Sequence, residues 1–274
     1  MSITSENSTL IDRPPRASTA RGRPITETGW MYLASIASAL VLWQIVASAF
    51  FRPEFFPTPV IVLHKGWEMI ADGSIFGHIG VSLARIMSGF AIGSLLGAPL
   101  GLLMGSFKLV RMFFDPYIQF FRFIPSIAWL TPAVIWFGIG ETPKVLIIVY
   151  TTIFIVIINT IVGVSNVSEN KIWAGRCLGA NGRQIFLFVI LPATLPFILT
   201  GMRLAMGNSF ATVVSAELIA ADQGIGFLIS NSRLWMATDT IFLSIAILGL
   251  LGFSADRIFR VAIHRFARQY GPID

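Results

Sequence analysis

The stretch from Trp30 to Phe51 contains no charged side chain, and long apolar runs recur to the end of the chain. A bilayer core takes about 20 apolar residues of helix to cross. Within it, exposed loops and open sheet edges leave backbone groups with no partner. Such runs restrict the chain to a bundle of membrane-crossing helices. Only 12% of its residues are Asp, Glu, Lys or Arg, against about 25% in a soluble domain, too few to cover a water-facing surface. The fold class read from the sequence is therefore all-α, polytopic, with about six transmembrane helices.

The runs fall at 30–51, 78–106, 117–139, 143–163, 196–220 and 240–259. The first is longer than a signal-peptide core and reads as an uncleaved span. The segment at 58–72 is too short and polar to cross and reads as an amphipathic helix at the membrane surface. The second run is rich in Gly, Ala and Ser, which lets helices pack closely in lipid, so it is expected inside the bundle. Gly140-Glu141-Thr142-Pro143 reads as a tight hairpin. Residues 1–28, with Arg13, Arg16, Arg21 and Arg23, read as a disordered basic tail, and 269–274 as a short C-terminal tail.

The net charge of +6 needs no nucleic acid to explain it, because Lys and Arg collect on the cytoplasmic side of membrane proteins. Placing both termini inside puts Lys108, Arg111, Lys171, Arg176, Arg183, Arg257, Arg260, Arg265 and Arg268 in the cytoplasm, with the tail arginines. Only Arg52, Lys65, Lys144 and Arg233 then lie outside. The lone cysteine, Cys177, allows no internal disulfide. No GxxxxGK[ST], CxxC or HExxH motif occurs, and His64, His78 and His264 are far apart, so no enzymatic or metal chemistry is expected on this chain.

Between the fourth and fifth spans lies a polar, basic island, Ser168 to Pro192. Ser168 is placed to cap a short helix and Glu169 to suit its dipole. Ile172, Cys177 and Trp173 give that helix an apolar side. Gly179 suits a left-handed helix end. Asn181 with Gln184 has capping-box spacing, and Leu191-Pro192 with Pro196 reads as a break at membrane re-entry. An amphipathic element held between two spans suits docking by a soluble partner; the ordinary alternative is a solvated connector.

Several polar residues fall within or near spans, where each calls for a partner or a wet cavity. Arg85 and Glu217 lie at similar depth near the outer ends of their spans and read as a salt bridge near an outer gate, or as separately snorkelling groups. Arg122, near the inner end of the third span, lines a path that attracts anions or snorkels to the interface. Arg203 is expected to snorkel, and Asp256 to pair locally with Arg257 and Arg260. Asn159 and Asn208 either bond between helices or face a path.

The island resembles the EAA loop of binding-protein-dependent ABC importer permeases. That pattern falls on Trp173, Ala174, Gly175, Gly179, Val189 and Leu191-Pro192, with Trp173 in place of the acid and Gly175 in place of the second Ala. Ala128-Trp129-Leu130, the run from Val134 to Thr142, and Ala216-Glu217-Leu218-Ile219 with Gly224-Ile225-Gly226-Phe227 look like the taurine, alkanesulfonate, nitrate and bicarbonate group, closest to taurine-type permeases. The resemblance implies a type I permease domain over 29–268 in the bacterial inner membrane, paired with a second copy. It implies two cytoplasmic ATPase subunits carrying ATP and Mg, and a periplasmic substrate-binding protein. Trp173, Ala174, Gly175, Gly179, Leu191 and Pro192 would form the coupling segment, and Arg85, Arg122, Asn159, Asn208 and Glu217 the path or gate. An ion-coupled secondary transporter or channel is the alternative. It would commonly show an inverted repeat or ion-coupling residues in broken helices.

Overall fold

The computed structural model describes residues 25–267; the basic tail up to position 24, Arg268 and the tail over 269–274 lie outside the described residues. The elements are α1 (Ile25–Phe50), α2 (Pro59–Ala71), α3 (Ser74–Ser106), α4 (Lys108–Phe121), a 3-10 turn (Ser126–Trp129), α5 (Leu130–Phe137), α6 (Glu141–Ser165), α7 (Glu169–Cys177), α8 (Gly182–Ile185), a π-turn (Phe186–Ile190), α9 (Leu191–Ala220), α10 (Ile225–Leu234) and α11 (Thr238–Ala267). Five helices are long and apolar enough to cross a membrane, or six if the bent pair α4 and α5 counts as one span.

The core is a slab in which α6 lies between α3 and α9. Its closeness comes from glycine. On α3, Gly89, Gly93, Gly97, Gly101 and Gly105 recur every fourth residue, on one face. Each meets Ile148, Thr152, Val156, Thr160 or Val164 of α6, and a Cβ added at Gly93 would lie 2.6 Å from that of Thr152. On the other side of α6, Gly201 of α9 packs on Asn159, and Gly163 meets Thr194 and Phe197. Thr152 and Ser209 hydroxyls bond across this second seam at 3.2 Å. Buried Ile86, Phe90, Ile148, Val156, Ala205, Met206, Phe210 and Val213 fill the centre, and α10, α11 and α2 pack around it.

Three expectations are corrected, and one helix is added. The third span is not one helix: α4 and the segment Ser126–Phe137 meet at 90°. Both arms are apolar, so a hydropathy count passes over the break, but Pro125 lacks the N–H that a continuing helix needs. Leu191-Pro192 is not a break, because Pro192 sits in the first turn of α9 and the π-turn carries α8 into α9 without interruption. Pro196 too is accommodated inside α9. Between the fifth and sixth spans, α10 is an additional helix too short to cross. Finally, α1 starts at Ile25, inside the stretch read as tail.

The helix α2 forms as expected. Thr58 caps it, its hydroxyl accepting from Ile61 N at 3.4 Å, and Pro59 occupies its first turn. Val62, Gly66 and Met69 turn toward α11 and Leu228. Val60, Leu63, Trp67 and Ile70 form an exposed stripe.

Candidate functional site

Three places concentrate polar groups. The first is the island between α6 and α9. The chain leaves α7 by a double bond pattern: Gly179 N donates to Arg176 O at 2.9 Å, and Ala180 N to Gly175 O at 3.0 Å. That closure requires a left-handed residue after the helix, and Gly179 supplies it with φ +80°. Asn181 and Gln184 then cap α8 reciprocally, at 2.8 and 2.9 Å. Ser168 does precede α7, but its side chain makes no capping bond; its hydroxyl is not what starts this helix.

Gly175 faces inward, and a Cβ there would sit 3.6 Å from Ile185. Trp173 is 58% exposed, with the Arg176 guanidinium 5.5 Å from its ring. Ala174 and Cys177 are also exposed, so the apolar side of α7 is a free surface, not one turned to the bundle. Leu191 and Pro192 are half-buried at the base of this element.

The second place is the opposite end of α6. Arg85 of α3 and Glu217 of α9, 2% and 1% exposed, form an ion pair at 2.8 Å. Two Glu141 oxygens of α6 accept from Arg85 at 2.5 and 2.6 Å, and buried Lys144 donates to Glu141 at 3.1 Å. Ser82 donates to Glu217 at 2.8 Å and accepts from Ile225 N at 2.9 Å. Gly226 N donates to Glu217 at 2.8 Å, and Arg85 donates to Gln223 O at 2.6 Å. The turn before α10 wraps the carboxylate so closely that a Cβ on Gly224, itself at φ +124°, would lie 2.4 Å from it. Two cations and two carboxylates thus neutralise one another, the condition under which buried charges persist. Ser82, Glu141 and Lys144 were not singled out from the sequence. Glu141 was read as part of a hairpin and Lys144 as an outer-side charge, although a lysine within the first turn of an apolar helix is itself a sign of a buried partner.

The third place is the break between α4 and α5. Tyr150 of α6 donates its hydroxyl to Phe121 O at 2.5 Å and lies 3.4 Å from Ile124 O. Phe121 O keeps one turn bond, from Ile124 N at 3.0 Å, and Tyr150 adds a second donor where α4 ends. It too went unnoticed, though a lone tyrosine in the middle of the α6 run was the available signal. Arg122 stands exposed beside the break.

The remaining residues separate. Asn159 donates to Ile155 O at 2.8 Å and lies in the α6–α9 seam, and Asn208 is exposed on α9. No hydrogen bond joins Arg122, Asn159 and Asn208 among the described residues. Arg203 does not snorkel alone: its guanidinium holds Asp256 of α11 through bonds of 2.6 and 3.1 Å. Arg260 joins Asp256 at 3.0 Å, whereas Arg257 lies over the Phe253 ring.

The profile of the family described as "Binding-protein-dependent transport system inner membrane component" matches residues 93–268. A probable ABC transporter permease protein of Brucella melitensis biotype 1 is 38% identical, over 88% of this chain and 92% of its own. The taurine transport system permease protein TauC of Escherichia coli K12 is 37% identical, over 91% and 93%. Among solved structures, the MetNI methionine ABC transporter in inward-facing conformations matches with a TM-score of 0.59 at 19% identity, over 70% of this chain and 93% of that one; this likeness concerns the fold.

Proposed function

Since the chain belongs to the family of binding-protein-dependent transport system inner membrane components, we propose that it is the membrane subunit of an ATP-driven importer for a small anion, sulfonates such as taurine first. Two copies line the path in the inner membrane with their termini in the cytoplasm. A pair of cytoplasmic ATPase subunits binds ATP and Mg, and a periplasmic binding protein delivers the substrate. This subunit performs no covalent chemistry. The Arg85–Glu217 network fixes the outer end, and Asn208 faces the path.

The observation that carries this reading is the exposed face of α7. Its indole stands clear of the bundle, while its backbone is locked by Gly179 between the two best-packed helices, α6 and α9. A partner that grips Trp173 in a groove therefore pulls on both. The taurine preference is supported by the relative from Escherichia coli.

The test is copurification followed by transport. The tagged chain is expected to bring down an ATPase subunit, and taurine uptake by the reconstituted assembly is expected to require both ATP and a binding protein. Uptake by the chain alone, driven by an ion gradient, would overturn the proposal.

A further inference from the structure

The bend between α4 and α5 opens a cavity of about 440 Å³ lined by Arg122, Pro125, Ser126, Tyr150, Thr151 and Ile158, among others. Its depth follows from α6. At 1.5 Å per residue that helix is about 36 Å long, with Tyr150 about 14 Å and Ile158 about 26 Å from its start. The cavity lies beside the middle of α6, so Arg122, which lines it, stands level with that stretch. A charge is most costly at that depth and marks a pathway or a partner.

Among the described residues Arg122 has no ion-pair partner and its guanidinium donates no hydrogen bond; it rests 4.7 Å from the Phe123 ring. Arg85, Arg203 and Arg260, by contrast, each hold a carboxylate, while Arg257 lies over the Phe253 ring and lines no such cavity. Nor is Arg122 needed to cap the end of α4, because Tyr150 serves the freed carbonyls. The guanidinium is thus a cation without a counter-charge, facing a space large enough for a small ligand and water.

We propose that the cavity at the Arg122 bend binds the transported anion at mid-membrane, with the Arg122 guanidinium as its counter-charge. This rests on the anion reading above. A singly charged oxyanion group, such as nitrate or the sulfonate of zwitterionic taurine, is the fitting class, since two of its oxygens can accept from the planar guanidinium together. Two carboxylates already neutralise the Arg85 cluster, which leaves no such vacancy there. Tyr150 is a positioning residue, holding the bend that presents Arg122.

The test uses the full chain reconstituted with its ATPase and binding protein, with taurine and nitrate as probes. Arg122→Gln is expected to lower uptake about ten-fold or more with the loss of the charge-assisted bonds, and Arg122→Lys, which keeps the charge but not the planar fork, to fall between Arg122→Gln and wild type. A second variant guards against a folding defect. In a Cys177→Ser background, Arg122→Cys is expected to regain uptake when an aminoethyl thiol reagent restores positive charge, and to stay inactive with a sulfonatoethyl reagent. Unimpaired uptake by Arg122→Gln, or equal response to the two reagents, overturns the site alone. A wild-type assembly that carries neither taurine nor nitrate refutes the anion reading instead.

Discussion

Substituting alanine along the glycine face of α3 separates a close helix seam from a merely small-residue one. At Gly93 the new Cβ would stand 2.6 Å from Thr152 Cβ and 3.0 Å from Val149 O. Carbon atoms rest at about 3.5–4.0 Å, so α3 and α6 must part by about 1 Å there. Overpacking of this kind costs about 1–3 kcal/mol, and the helix preference of alanine over glycine returns about 1 kcal/mol. Gly93→Ala is therefore expected to lose up to about 2 kcal/mol. At Gly97 the contacts are 3.0 Å to Ile153 O and 3.1 Å to Val156 Cβ, a few tenths of an ångström short of ordinary contact. There gain and loss roughly cancel. With about 2–4 °C per kcal/mol for a chain this size, Gly93→Ala should lower the apparent thermal transition of the detergent-solubilised chain by up to about 8 °C, and by more than Gly97→Ala does. Gly97→Ala should stay within about 2 °C of wild type. Intrinsic-fluorescence melting at one heating rate reads both. Equal transitions for the two variants, or a larger loss at Gly97, would refute the assignment of this face to the α6 seam.

Other perturbations follow from the sites. Glu217→Gln leaves buried Arg85 with Glu141 alone and is expected to cost up to about 3–5 kcal/mol, read as a lowered melting transition; an unchanged transition would contradict the network. Tyr150→Phe removes one of two donors to Phe121 O, which keeps Ile124 N at 3.0 Å, and is expected to cost about 0.5–1.5 kcal/mol, again by melting. Gly175→Ala is expected to stabilise by up to about 1 kcal/mol through helix preference and to leave uptake unchanged, because its Cβ finds only ordinary contact with Ile185 and Val189. Gly179→Asp, forced to φ +80°, is expected to insert yet abolish ATP-driven uptake; normal uptake would remove the coupling role.

Much of this was legible because it is local. Gly179 and the Asn181–Gln184 box are set by residues within one turn, and the pattern alone identifies them. Arg85 and Glu217 could be matched because each is an isolated charge at the same depth. The break at Pro125 was not legible, since hydropathy averages over a bend whose arms are both apolar. The pairing of Arg203 with Asp256 spans two helices and competes with nearer arginines, so proximity in sequence misled. The glycines of α3 announced close packing without naming α6 as the partner; that needs the register of one helix against another.

The uninterrupted passage from α8 through the π-turn into α9 has a mechanical consequence. Gly182 to Ala220 behaves as a single strut of 39 residues, about 58 Å long at 1.5 Å per residue. Its lower end abuts the Gly179 elbow, and its upper end carries Glu217 into the clasp with Arg85. Such a strut can absorb a load applied at the elbow only at the π-turn and at Pro196, which lacks the N–H of a helix bond. Force entering there must either carry α3, α6 and α9 together as one plate or shear the clasp. The tight glycine seams favour the first.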